Sequence, residues 1–72
     1  MKIIIEAQFK DTYDTHFIIK EHSWDSLRRT IVRDSATRFS SRSETASFLN
    51  EMAKNNPRFD ECTYSFIEVE NV

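Results

Sequence analysis

Apolar and polar residues alternate from Lys2 to Phe9, with Ile3, Ile5, Ala7 and Phe9 on one side and Ile4, Glu6 and Gln8 on the other. A period of two belongs to a strand with one buried face, so the spacing predicts a strand over 2–9. Lys10-Asp11-Thr12-Tyr13-Asp14 is polar and turn-like. A second strand follows over about Thr15 to Glu21, with Phe17 and Ile19 directed inward. Two strands so close in sequence form an antiparallel hairpin, and a loop of four or five residues suits the spacing better than a two-residue turn. Any left-handed position in that loop falls to Asp11 or Asp14, because aspartate tolerates this conformation better than most residues.

The period changes after Ser23. Trp24, Leu27 and Ile31 recur at i, i+3 and i+7, and Val32 widens the stripe. This predicts an amphipathic helix capped by Ser23 and running to about Asp34, with Asp25 complementing the dipole in its first turn. Arg28, one turn after Trp24, is placed to lay its stem over the indole. Residues 35–40 read either as a short strand or as an extended connector with Phe39 plugged into the core. Ser41-Arg42-Ser43-Glu44 fits a capping box, in which Ser41 caps and Glu44 reaches back. Ala46, Phe48, Leu49, Met52 and Ala53 then form the apolar stripe of a second helix over about 42–55. Asn55-Asn56-Pro57 stops it, an asparagine taking the place of the usual glycine.

A last strand spans about Thr63 to Glu70, with Tyr64 and Phe66 on one face and Ile67 and Val69 on the other. Apolar residues on both faces predict an interior strand, or a bulge near Phe66. The expected order is ββααβ in one α+β domain over residues 1–72. Its sheet is three-stranded and mainly antiparallel, or four-stranded if 35–40 pairs, with both helices on one face and the terminal strands adjacent.

Composition narrows the chemistry. The chain has 72 residues and no glycine, where average usage predicts about five. Without glycine there is no GxGxxG fingerprint, no P-loop and no GxSxG nucleophile elbow, all of which need close backbone approach or positive φ. Cys62 is the only cysteine, which excludes an intrachain disulfide and a cysteine zinc cage, and suits the reducing cytoplasm. Ile3-Ile4-Ile5 and Phe17-Ile18-Ile19 are far too short to span a membrane, and Glu6 interrupts what would otherwise start like a signal peptide.

Charge is segregated although the net value is only −2. Arg28, Arg29, Arg33, Arg38 and Arg42 are offset within their block by Asp34 alone, while Asp60, Glu61, Glu68 and Glu70 close the chain with no base among them. Arginine makes rigid bidentate contacts with carboxylate or phosphate. The arginine block therefore serves as a grip for an acidic protein surface or for nucleic-acid phosphates; in the plainer reading it solvates a helix face, pairs Asp25 with Arg29, and is balanced by the acidic strand. Nucleic acid calls for a basic overall balance or interleaved aromatics, whereas the isoelectric point is about 5.6. His16 and His22 lack the spacing of a metal site, and no third group is placed to orient a Cys62–histidine pair, so the histidines read as surface or pairing residues and Cys62 as a buried or half-buried strand cysteine. Trp24 reads as core. Tyr13, at the hairpin tip, reads as a contact residue.

These features predict a small non-catalytic protein without cofactor or metal, docking onto a larger protein as inhibitor, adaptor or regulator. The partner-binding residues expected are Arg28, Arg29, Arg33, Arg38, Arg42, Tyr13, Glu68 and Glu70. Nucleic-acid binding through residues 28–42 is the alternative. A homodimer through a sheet edge is a further expectation. In general character the chain resembles small regulatory proteins encoded by phages and mobile elements, a resemblance of style rather than of motif.

Overall fold

Ile3, Ile4 and Ile5 are all buried, and a strand buried on both faces belongs inside a sheet. The computed structural model describes residues 1–20 and 28–70, with Arg28 and Arg29 described through their backbone alone. In it β1 (Lys2–Phe9) lies between β2 (Thr15–Ile19) and the C-terminal strand Cys62–Val69. All of these pairings are antiparallel. A three-residue strand, β3 (Arg28–Thr30), extends the sheet at the outer side of β2, and the 14-residue helix α1 (Arg42–Asn55) precedes the C-terminal strand, β4. The spatial order is β3-β2-β1-β4. The α+β class, the adjacent terminal strands and the helix at 42–55 agree with the sequence reading.

Register decides which side chains enter the core. Ile5 faces Phe66, Ala7 faces both Tyr64 and His16, and Phe9 faces Cys62. Residues directly opposite one another share a face, so these side chains meet under α1. The cluster there contains Ile5, Ala7, Ile18, Phe39, Phe48, Met52 and Cys62, with Phe9, Leu49, Phe59, Tyr64 and Phe66 at its margin. The inward residues of β2 are accordingly His16 and Ile18, not Phe17 and Ile19, which share the opposite face with Ile4 and Ile67 and are half-buried.

β1 pairs with β2 only around Glu6–Gln8. Nearer its start, its second flank is taken by the connector before α1. Ile3 and Phe39 exchange both backbone hydrogen bonds, at 2.9 and 2.7 Å. The Thr37 N–H donates to the Ile18 carbonyl at 3.2 Å, and its hydroxyl oxygen accepts from the Lys20 N–H at 2.7 Å. Segment 37–39 is thus a wedge between β1 and β2, and it carries Phe39 into the core at 5.1 Å from the Phe48 ring. The connector reading of 35–40 holds.

The first predicted helix does not hold over 28–34, the part of it that is described. Its Ser23 cap, Trp24, Asp25 and Leu27, and the neighbouring His22, lie outside the described residues. From Arg28 the chain is strand, then a 3₁₀ turn at Arg33–Ser35. The β-branched run Thr30-Ile31-Val32 disfavours helix and suits extension, and β2 offers an edge whose hydrogen bonds β3 takes. The ββααβ order, with a helix before the one at 42–55, is therefore not what the described residues form. β4 is an edge strand among them, unbulged, and the apolar residues on both of its faces reflect a sheet with two partly buried faces.

Caps replace glycine. The Ser41 hydroxyl oxygen accepts from the Glu44 N–H at 3.1 Å, and the Glu44 carboxylate reaches back to the Ser40 N–H at 3.2 Å. Inside the helix, Thr45 is buried in place of Ala46 and Ala53, its hydroxyl donating to the Ser41 carbonyl at 2.7 Å. Asn56 ends α1 in extended rather than left-handed geometry, because the following Pro57 disfavours helical ψ in the residue before it. The left-handed position in the β1–β2 loop is taken by Tyr13, φ 63°, and not by an aspartate. Its N–H donates to the Phe9 carbonyl at 2.9 Å and its carbonyl accepts from the Gln8 side chain at 3.0 Å.

Two stability outcomes follow. Phe39→Ala lowers unfolding free energy by about 3–5 kcal/mol in urea titration, the range for removing a buried aromatic. Tyr13→Gly raises it by about 0.5–1 kcal/mol, because relief of the left-handed penalty exceeds the added freedom of the unfolded chain.

Candidate functional site

The wedge brings the basic segment to the acidic end of β4. The 3₁₀ turn at Arg33–Ser35 and the connector behind it carry Arg33, Asp34 and Arg38 to a cleft of about 360 Å³. The opposite wall is Glu68, Val69 and Glu70, and Ile4 lies at the base with 1% of its surface exposed. Arg42, the first residue of α1, closes the adjoining surface: its Nη2 lies 3.5 Å from Glu68 Oε1, and its guanidinium carbon is 6.0 Å from the centre of the Phe66 ring. Five of the eight expected contact residues therefore converge at one end of the sheet.

The other three are elsewhere. Tyr13 is exposed at the far end of β1, and Arg28 and Arg29 lie on β3 at the sheet edge. The suggested Asp25–Arg29 pair and the Arg28 stem over Trp24 involve residues outside the described part of the chain.

The cleft is electrostatically mixed and incompletely paired. Arg42 and Glu68 are both exposed, where an ion pair contributes only about 0–1 kcal/mol. Arg33, Arg38 and Glu70 make no ion pair with another described residue. The basic and acidic blocks thus lie together with guanidinium groups left over. A second pairing was hidden by the division into blocks. Arg58 Nε and Nη2 donate to the Glu61 carboxylate at 2.9 and 3.1 Å, and this hydrogen bonding, with the charge of Glu61 behind it, raises the Arg58 pKa. Glu61 belongs to that pair rather than to an acidic array with Glu68 and Glu70.

A second, larger depression of about 490 Å³ lies beside β3, lined by Phe9, Asp14, Thr15, His16, Thr30 and Ile31. His16 is 5% exposed, with its ring 4.9 Å from that of Phe9. Ile31 is 85% exposed and Val32 53%. These two were expected on the buried stripe of a helix. The signal that separates them from it is the β-branching of three consecutive residues at 30–32. Cys62 is buried, as a strand cysteine in the core is expected to be. Among the described residues no three metal-ligating side chains gather, and no helix is long and apolar enough to cross a membrane.

Comparison with protein-family models, with curated proteins and with solved structures finds no match to this chain.

The exposed ion pair yields a direct test of how the cleft is held. Glu68→Gln shifts unfolding free energy by less than about 0.5 kcal/mol, read by thermal or urea denaturation, because Phe39 and Ile4 rather than Arg42–Glu68 hold this end of the molecule together.

Proposed function

We propose that the protein is a small, non-catalytic binding module that docks onto a larger protein as an inhibitor, adaptor or regulator. The observation that carries this reading is the cleft at the end of the sheet, where Arg33 and Arg38 have no carboxylate partner among the described residues. Unengaged guanidinium groups on a rigid support present planar forks to acidic side chains, and complementary charge sets association rate and orientation. Glu68 and Glu70 on the same cleft wall add selectivity, since they repel an all-acidic ligand and accept lysine or arginine. A partner surface of mixed charge fits both. The same carboxylates weigh against nucleic acid, whose phosphates would meet them directly. The lone thiol of Cys62 supports a cytoplasmic setting.

The test uses charge reversal. Arg33→Glu with Arg38→Glu reduces capture of the partner from lysate of the source cells by tenfold or more, measured by quantitative mass spectrometry, while the circular dichroism spectrum is unchanged. Unaltered capture would remove the electrostatic reading. In parallel, fluorescence polarisation at low salt gives no saturable binding to single- or double-stranded DNA or RNA; tight, steeply salt-dependent binding would favour the nucleic-acid alternative.

A further inference from the structure

The loop between β1 and β2 displays a tyrosine at a backbone position that disfavours it. Tyr13 holds φ at 63°, a left-handed conformation that a residue with a Cβ adopts only at a cost. The loop's own hydrogen bonds impose this geometry. The Tyr13 N–H donates to the Phe9 carbonyl, the Thr12 N–H to the Asp11 carboxylate at 2.8 Å, and the Asp14 N–H to the Thr12 hydroxyl at 3.3 Å. None of these bonds uses the Tyr13 side chain, and the residue is 71% exposed. Such strain destabilises the fold, and an exposed ring recovers little of it within the molecule. Lys10, Asp11 and Asp14 are exposed around it and make no ion pair among the described residues. The tip of the hairpin is thus an aromatic ring flanked by two carboxylates and one ammonium group.

The cleft at the other end of the sheet matches this tip group by group. Arg33 and Arg38 line it without a carboxylate partner among the described residues, Asp34 and Glu70 stand beside them, and Glu68 is engaged by Arg42. A guanidinium forks onto a carboxylate and stacks on an aromatic face; Asp11, Asp14 and Tyr13 supply both kinds of group. Lys10 answers the carboxylates of the cleft, which an all-acidic ligand would leave unpaired. We infer that the β1–β2 loop of one molecule docks into the Arg33–Arg38 cleft of a second copy. The loop cannot reach the cleft of its own chain, because β1 runs from one to the other and a strand of eight residues spans about 26 Å. Loop against loop is disfavoured, since it opposes the aspartates of the two copies. The contact is therefore heterologous, joining two different surfaces. One loop in one cleft buries far less than the ~1,200 Å² of stable complexes, so association is weak and concentration-dependent. This inference rests on the cleft being a binding site, and it makes self-association compete with the larger partner.

Sedimentation velocity on the intact chain over a range of concentrations tests it. The expected result is a weight-average sedimentation coefficient that rises with concentration at low salt, with association weakened about tenfold at high salt as the charges are screened. Asp11→Arg with Asp14→Arg, and Arg33→Glu with Arg38→Glu, each weaken association by about tenfold or more. Mixing these two double variants restores it, because each supplies the surface that complements the other. Tyr13→Gly gives the same loss while raising the urea midpoint, which separates the docking role of the ring from damage to the fold. A monomer at every concentration overturns the proposal, as does association that survives the loop variants or Tyr13→Gly, or that mixing fails to restore. The two readings of the cleft are told apart by capture from lysate. A monomeric protein whose capture of a larger partner is lost on Arg33→Glu with Arg38→Glu refutes the second copy and keeps the cleft as a binding site, whereas unaltered capture removes both.

Discussion

The backbone exchange between Ile3 and Phe39 is the contact on which the rest of this structure depends. β1 supplies the centre of the sheet, but β2 covers only part of its flank. The remaining groups would be buried without partners, at a cost of about 1–3 kcal/mol each. The wedge 37–39 satisfies them, and it ties three distant parts of the chain to one another. It carries Phe39 under α1, precedes the Ser41 cap of α1 by two residues, and holds the Arg33–Arg38 segment beside the end of β4. Fold and candidate site therefore have a common origin.

That origin explains which features were legible in the sequence. Locally determined elements were: the alternation of β1, the capping box at Ser41 and Glu44, and the stop at Pro57. Each rests on contacts within a few residues or on a strong period. Phe39 was correctly seen as core because it is a large apolar residue isolated among serines and arginines. Its partner Ile3, 36 positions away, leaves no local trace. The Ile3-Ile4-Ile5 run was read as part of a strand with one buried face, yet Ile4 is as buried as its neighbours, and the unbroken run points to β1 rather than the C-terminal strand as the centre of the sheet.

The misreadings have a shared cause. Trp24, Leu27 and Ile31 match a helical period, yet Thr30, Ile31 and Val32 are β-branched and β2 had an edge to fill. Phe17 and Ile19 were directed inward, which put His16 on the other face, although antiparallel register with Ala7 sends His16 inward with Ile18. Tyr13 takes the left-handed position through the loop's hydrogen bonds rather than through its own preference. In each case tertiary pairing outweighed the local tendency. The site was half legible: the two charged blocks were evident, while their meeting in one cleft, and the removal of Glu61 by Arg58, required the fold.

The absence of glycine fits this arrangement. Turns and caps are built from side-chain hydrogen bonds, at Ser41, Thr12, Asn56 and Asp11, and one strained tyrosine. Amide hydrogen exchange followed by nuclear magnetic resonance tests the wedge most directly. The account predicts that the Ile3 and Phe39 amides are protected to the same degree as those of Glu6 and Ala7 in the central strand. Exchange of Phe39 as fast as that of the exposed β1–β2 loop would contradict it.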